Sequence, residues 1–327
     1  MTPADLSLTV LHAVRRAVDE GVLRVEVPPR VKVERPRPGG VGDYASSVAL
    51  RLARPAGRDA RDVAVILRER LREAPGIRAV DITGPGFLNF TLDSGDEGRV
   101  LREIERTGLA YGHSTALVGT RVRFRASVEP RAALLGEAYA RLMRAQGADT
   151  DISEGEGERI TALPAPYRPD TLGTDAARWA LLRPAAHDRA LPGAPLLVQH
   201  ERNPLFRVRY AHSRARALVR NAAQLGFTPA YDAYEGTDTD EAPHLLALLG
   251  DHPAVLLVAA RHRAPDRVAR HLEAVADALL AYQHTVLPLG DEKPSVAHRS
   301  RLALAEAAGT VLAGGLSLLG ISAPDQI

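Results

Sequence analysis

The stretch Asn203 to Val219, NPLFRVRYAHSRARALV, constrains this chain more than any other. Pro204 suits the first position of a helix, where its missing N–H is not needed. Behind it, Leu205, Val208, His212, Ala215 and Val219 recur at helical spacing and form one apolar stripe. Arg207 and Arg214 lie along one border of that stripe, and Arg209, Arg216 and Arg220 along the other. The pattern predicts a helix that docks on a bundle by one face and presents arginine to a polyanion from its flanks. A merely solvated charged face is the blander alternative.

The charge balance decides how such a helix is to be weighed. Net charge is +2 over 327 residues, so the chain is no blanket polycation, and an anion site must come from local arrangement. Only Lys32 and Lys293 are lysines among the 42 basic residues. Arginine forks match phosphate bidentately, although a high-GC genome produces the same bias. The absence of cysteine excludes disulfides, cysteine metal sites and thiol nucleophiles. Asp5 within an amphipathic N-terminal pattern argues against a signal peptide. Ala307 to Pro324 is apolar but broken by Gly309, Gly314, Gly315 and Gly320, which suits a buried helix better than a membrane span. A cytoplasmic protein without membrane attachment is expected.

Leu6, Val10, Val14 and Val18 space out a first helix ending near Gly21. Val31 to Val33 alternates like a short strand before the breaker run Pro36 to Gly40. Gly42 to Tyr44 is expected to open a helix through Val48, Leu50 and Leu52; a second helix carries Val63, Ile66, Leu67 and Leu71. Ile77–Ile82 and Phe87–Leu92 read as strands joined across Gly84 to Gly86, and a helix covers Val100–Ile104. Val122 and Phe124, then Ala132–Ala145, then Asp149–Ile152 give strand, helix and strand, one step of a parallel sheet. Glu154–Thr171 is a connector rich in Gly, Pro and charge. Helices follow at Asp175–Leu182, Pro204–Leu225, Pro243–Leu249, Pro253–Arg261, Asp266–Leu287 and Ser300–Leu319. Asp232, Glu235, Asp238, Asp240 and Glu241 fall in a loop without calcium-ligand spacing.

Taken alone, the residues offer no catalytic constellation. Gly84 to Gly86 lacks the Lys-Ser/Thr of a phosphate loop. The eleven histidines include no pair at zinc-helix spacing, and His262 and His271 are expected at the surface. Glu154 and Glu156 lie in the connector, a poor support for acid–base chemistry.

Five segments resemble the arginyl-tRNA synthetase family, in the family's order. Gly42–Ala64 (GDYASSVALRLARPAGRDARDVA) with Gly84–Leu92 (GPGFLNFTL) resembles its N-terminal appended domain. Leu172–Arg183 (LGTDAARWALLR) and Asn203–Arg216 (NPLFRVRYAHSRAR) resemble the approach to its DALR-type anticodon-binding bundle, and Ser300–Pro324 resembles the last helix of that bundle. The resemblance implies an α/β N-terminal module, a remnant of a parallel α/β nucleotide-binding fold, and an all-α bundle. Their boundaries would be 1–112, 113–171 and 172–327. In the family the strand equivalent to Arg121–Ser127 runs into a His-Ile-Gly-His-type loop that holds ATP, whereas here Glu129 and Pro130 lead straight to Arg131 and Ala132. The Lys-Met-Ser-Lys-type loop is likewise replaced by the connector.

The resemblance therefore implies no catalytic residue, no metal and no cofactor, ATP being the family's ligand. It places D-loop contacts at Phe87 and Asn89 and anticodon contacts at Tyr210 and Arg214, with Arg207, Arg209 and Arg216 supplying field or phosphate contacts. The chain departs from the family at Val41, at Leu280–Thr285 (where an aromatic and an arginine are lost) and at Ile327. The leading expectation is a non-aminoacylating tRNA-binding paralogue acting on an arginine tRNA. Its partners would include a full-length synthetase or an enzyme using charged tRNA. An adaptor that pairs with such proteins without RNA is the second expectation, and a residual arginine–tRNA ligase the third.

Overall fold

The computed structural model describes residues 3–34, 36, 41–92, 97–231 and 242–327. Two compact units divide it, Met1–Arg99 and Val100–Ile327, each with its own hydrophobic core. The acidic residues between Tyr231 and Ala242, and most of the run Pro36 to Gly40, lie outside the described residues.

In the first unit, helices α1 (Pro3–Asp19), α2 (Val48–Ala56) and α3 (Ala60–Leu71) accompany strands β1 (Tyr44–Ser46), β2 (Ile77–Thr83) and β3 (Phe87–Leu92). The sheet is antiparallel, in the order β1-β3-β2. Leu6, Val10 and Val14 of α1, Val63 and Leu67 of α3, and Leu88 and Phe90 of β3 are fully buried. The helical periods of α1 and α3 and the two-residue period of β3 thus converge on one core.

Two sequence expectations fail here, the first for a visible reason. Tyr44–Ser46 is a strand and not the start of a helix, and Val31–Val33 forms no strand, only Glu34 bridging to Ala45. Gly42 has φ +81° and sits where a Cβ would lie 2.7 Å from the Phe90 carbonyl oxygen. The Asp43 amide donates to that oxygen at 2.7 Å, so the chain is pressed onto β3 and must run extended before α2 can begin.

In the second unit, α4 (Glu97–Thr107) contributes Leu101 and Ile104 to the core. Strands β4 (Arg121–Arg125) and β5 (Asp149–Ser153) pair in parallel, joined by α5 (Pro130–Ala145). Helices α6 (Thr174–Leu182), α7 (Pro204–Gln224), α8 (Ala242–His262), α9 (Pro265–Tyr282) and α10 (Val296–Leu319) follow. Phe124, Leu135 and Tyr139 share one continuous core with Trp179, Val208, Leu272 and Leu312, so the strand–helix–strand step is stabilised by the bundle.

A residue on α5 ties down one point of the irregular 154–171 segment, at Leu163, and the chain at and after the end of α6. The Arg131 side chain is fully buried and donates to the carbonyls of Leu163, Leu181, Ala185 and Asp188 at 2.6–3.1 Å. Burial pulls its pKa down from the usual arginine value, against the opposing pull of nearby acidic groups.

Pro253 does not split α8 in two, as its sequence suggests. Proline cannot donate to the carbonyl one turn back, which is that of Leu249. The Tyr111 hydroxyl donates to that carbonyl instead, at 3.2 Å, and the helix continues. His262 is exposed as expected, but His271 is buried in the apolar face that Val268, Leu272 and Val275 build on α9. Its ring stacks on His252 with centroids 5.2 Å apart. Helices α8 and α10 are apolar and long enough to cross a membrane, but most of the apolar window of α10 (78%) is buried within the unit.

Candidate nucleic-acid interface

Helix α7 starts as its sequence prescribes. Asn203 is its N-cap and accepts from the Phe206 amide at 3.2 Å, Pro204 takes the first turn, and Asn203 Nδ2 donates to the Leu196 and Val198 carbonyls at 2.9 Å. Leu205, Val208, Ala211, Ala215 and Leu218 are buried against the bundle. Opposite Ala215, Gly309 of α10 leaves no room for a side chain, since a Cβ there would meet the Ala215 methyl at 2.7 Å. The close approach lets His212 Nδ1 reach the Gly309 carbonyl at 3.0 Å.

The outward face of α7 carries an aromatic pair. Tyr210 stacks on Phe206, one turn earlier, with ring centroids 5.5 Å apart and planes 17° from parallel. Tyr210 is 37% exposed. One turn further on, Arg214 Nε donates to Gln283 Oε1 at 2.8 Å, and Gln283 is steadied by its own bond to the Leu280 carbonyl. An exposed ring beside an aligned guanidinium is the arrangement that stacks an unpaired base and holds its phosphate. Neither Phe206 nor Gln283 stood out in the sequence. The i, i+4 spacing of Phe206 and Tyr210 was the available signal for the first; Gln283 lies in the segment where the chain departs from the family.

The remaining arginines of α7 are engaged within the protein. Arg207 pairs with Asp277 of α9 at 3.1 Å. On the other flank, Arg209 bonds Ser322 Oγ at 3.2 Å and lies 3.6 Å from Asp175. Arg216 Nε reaches Asp325 at 3.2 Å.

In the first unit, Phe87 and Asn89 occupy alternate positions of β3, so both face away from Leu88 and Phe90. Phe87 is 39% exposed. Asn89 is buried, and its amide donates to Thr83 Oγ1 at 2.7 Å. The turn that presents Phe87 depends on Gly86, with φ +135° and no space for a Cβ, which would stand 2.7 Å from the Ala60 carbonyl oxygen.

At the carboxyl ends of β4 and β5, a hollow of about 480 Å³ is lined by Arg125, Ser127, Glu129, Arg159 and Thr161. Glu129 caps α5 there, its carboxylate accepting from the Arg131 and Ala132 amides at 3.1 and 2.7 Å. That helix terminus, a favourable place for an anion, thus already holds one from the chain itself.

Comparison with known proteins agrees with this geography. Residues 8–92 match the family described as arginyl tRNA synthetase N terminal domain, and residues 208–327 match the DALR anticodon binding domain. The arginine–tRNA ligase of Pseudarthrobacter chlorophenolicus is 26% identical over an alignment of 554 positions, spanning 100% of each chain. With 327 residues here, the shared ends enclose a long stretch of the relative that has no counterpart. The ligase of Micrococcus luteus is 45% identical over 164 residues, 46% of this chain and 30% of that protein. Among solved structures, arginyl-tRNA synthetase of Thermus thermophilus superposes with a TM-score of 0.73 at 13% identity, covering 100% of both chains. That of Plasmodium falciparum gives 0.72 at 7% identity, covering 99% of each. At such identities these two speak for the fold. Its N-terminal domain, its anticodon-binding bundle and its sequence relatives together place the chain in the arginyl-tRNA synthetase family.

Proposed function

We propose that this chain is a cytoplasmic tRNA-binding protein that grips an arginine tRNA without charging it. What carries this reading is the exposed ring of Tyr210, backed by the half-buried Phe206, with Arg214 beside it on α7. In this view Tyr210 stacks on an anticodon base while Arg214 contacts its phosphate or edge, and Phe87 meets an unpaired base of the D-loop; Asn89, buried and bonded to Thr83, would reach that base only by giving up this bond. Arg207, Arg209 and Arg216 add field along the helix. The protein would carry charged tRNA to an enzyme that consumes it, or act beside a full-length synthetase.

Loss of arginine activation is supported by the presence of Glu129 at the α5 terminus. Adenylate formation needs donors aimed at a phosphate, and a fixed carboxylate at this terminus repels one. ATP–pyrophosphate exchange with arginine is expected to stay at background; exchange well above it reinstates the ligase. For binding, filter titrations of several tRNAs across ionic strength test the reading. Affinity for arginine tRNA should fall steeply with salt, and flat, weak binding equal for all tRNAs defeats it.

The pairing of Arg207 and Arg216 with acidic residues of the same chain favours the second reading, an adaptor for a synthetase or a metabolic enzyme. Co-purification with and without ribonuclease separates the two.

A further inference from the structure

Arg209, Ser213, Arg216 and Arg220 recur on α7 at intervals of four, three and four residues and form one strip beside the Tyr210 face. The segment after α10 lies along this strip. Gly320 turns the chain with φ +73°, Ile321 is buried, and the rest folds back over α7. Ser322 is fastened to Asp175 through its amide at 3.0 Å and to Arg209 through its hydroxyl. Asp325 is held from four positions. Arg216 Nε bonds its carboxylate at 3.2 Å, with His212 Nε2 3.6 Å away, while Ser213 Oγ and both terminal nitrogens of Arg220 donate to its carbonyl at 3.3–3.4 Å.

The segment spans a hollow of about 660 Å³, walled by Ala215 and Val219 of α7 and by Gly309 and Ala313 of α10. Beyond Ile321 it contributes only small side chains before Asp325, so polar contacts fasten it more than packing does. Ion pairs as exposed as Arg216–Asp325 are individually weak. A carboxylate and a phosphodiester offer the same kind of anionic oxygen to a guanidinium fork.

We propose that the strip formed by His212, Ser213, Arg216 and Arg220 is a phosphate-binding site for RNA, which Asp325 fills in the free protein. The proposal extends the tRNA-binding reading. A strand crossing the Tyr210 face brings its next phosphates to this strip and lifts residues 322–327 from it, freeing Arg216 and Arg220.

Substitution Asp325→Asn tests it, since the residue is exposed and its loss leaves the core intact. The variant should bind tRNA about fivefold more tightly than the parent protein at low salt. The slope of log affinity against log salt should stay close to that of the parent protein, because the same phosphates are neutralised once residues 322–327 have lifted, and the gain comes from losing the carboxylate that competes for Arg216. Adding Arg216→Ala and Arg220→Ala should abolish the tighter binding. Equal or weaker tRNA binding by Asp325→Asn, where the parent protein binds, overturns the proposal. If neither protein binds tRNA, the tRNA-binding reading itself has failed, and inorganic polyphosphate then serves as the probe. It should bind Asp325→Asn more tightly than the parent protein and should speed amide exchange across 322–327 in the parent. No difference in affinity, or no change in exchange, also overturns the strip as a phosphate site.

Discussion

Tyr210 lies nearly parallel to Phe206 at a centroid separation of 5.5 Å, so its ring is held flat and presents its outer face to solvent. A pre-set ring costs little further ordering when a base stacks on it. Replacing Tyr210 by Ala is expected to weaken tRNA binding by about 1–3 kcal/mol, and by Phe far less. Filter binding at fixed salt distinguishes them; equal losses from both changes would move the role from the ring to the hydroxyl.

Arg214 is anchored through Gln283, so two substitutions should act on one contact. Arg214→Ala should lower affinity and flatten the salt slope by roughly 0.7–0.9, the value of one phosphate contact. Gln283→Ala should lower affinity while leaving the slope unchanged, because the charge remains. Titration of both variants over a range of salt reads the two quantities separately.

Two buried histidines make the second unit acid-sensitive. Burial lowers the pKa of His271 to about 4, and burial, then His271 and His113, lowers that of His252 well below the usual value. A lowered folded pKa means that the unfolded chain takes up the proton first. Their contribution is therefore complete above about pH 6.5 and is lost progressively as pH falls below it. For His271 the loss approaches about 3 kcal/mol near pH 4. Urea unfolding at pH 7.5 and pH 5 should show a fall in midpoint that His271→Leu reduces.

Gly86→Ala places a methyl against the Ala60 carbonyl at a backbone angle that L-residues avoid. A loss of about 1–3 kcal/mol in the first unit is expected. Thermal unfolding checks it, and a wild-type transition would mean that the turn yields easily.

Arg131→Met removes a guanidinium that satisfies four buried or half-buried carbonyls. Each acceptor left without a partner costs about 1–3 kcal/mol, so the second unit should be destabilised by several kcal/mol. Denaturant titration measures the loss, and limited proteolysis should find new cleavage between 163 and 188.

Much of the helical framework was legible because its signals are local. Val63, Leu67 and Leu71 already mark the buried face of α3, and Asn203 with Pro204 already marks the start of α7. What escaped depends on partners distant in the chain. Pro253 reads as a break until Tyr111 supplies a donor for Leu249. Tyr44 reads as helical until Phe90 claims the backbone beside it. At the candidate site, Tyr210 and Arg214 could be placed on one helix face from spacing alone. That Asn89 spends its amide on Thr83, and that Asp325 lies across Arg216, could not be read that way, since neither pairing leaves a periodic trace.

The buried guanidinium of Arg131 bears on the order in which the chain is made. Its acceptors arrive 32 to 57 residues later in the sequence, at Leu163, Leu181, Ala185 and Asp188. During synthesis α5 can form its own turns, but the guanidinium on its first turn stays in water until the chain has emerged as far as Asp188, past the end of α6. Arg131 is thus a clamp that ties the helix between the two parallel strands to arrival of the first helix of the bundle and the turn that follows it.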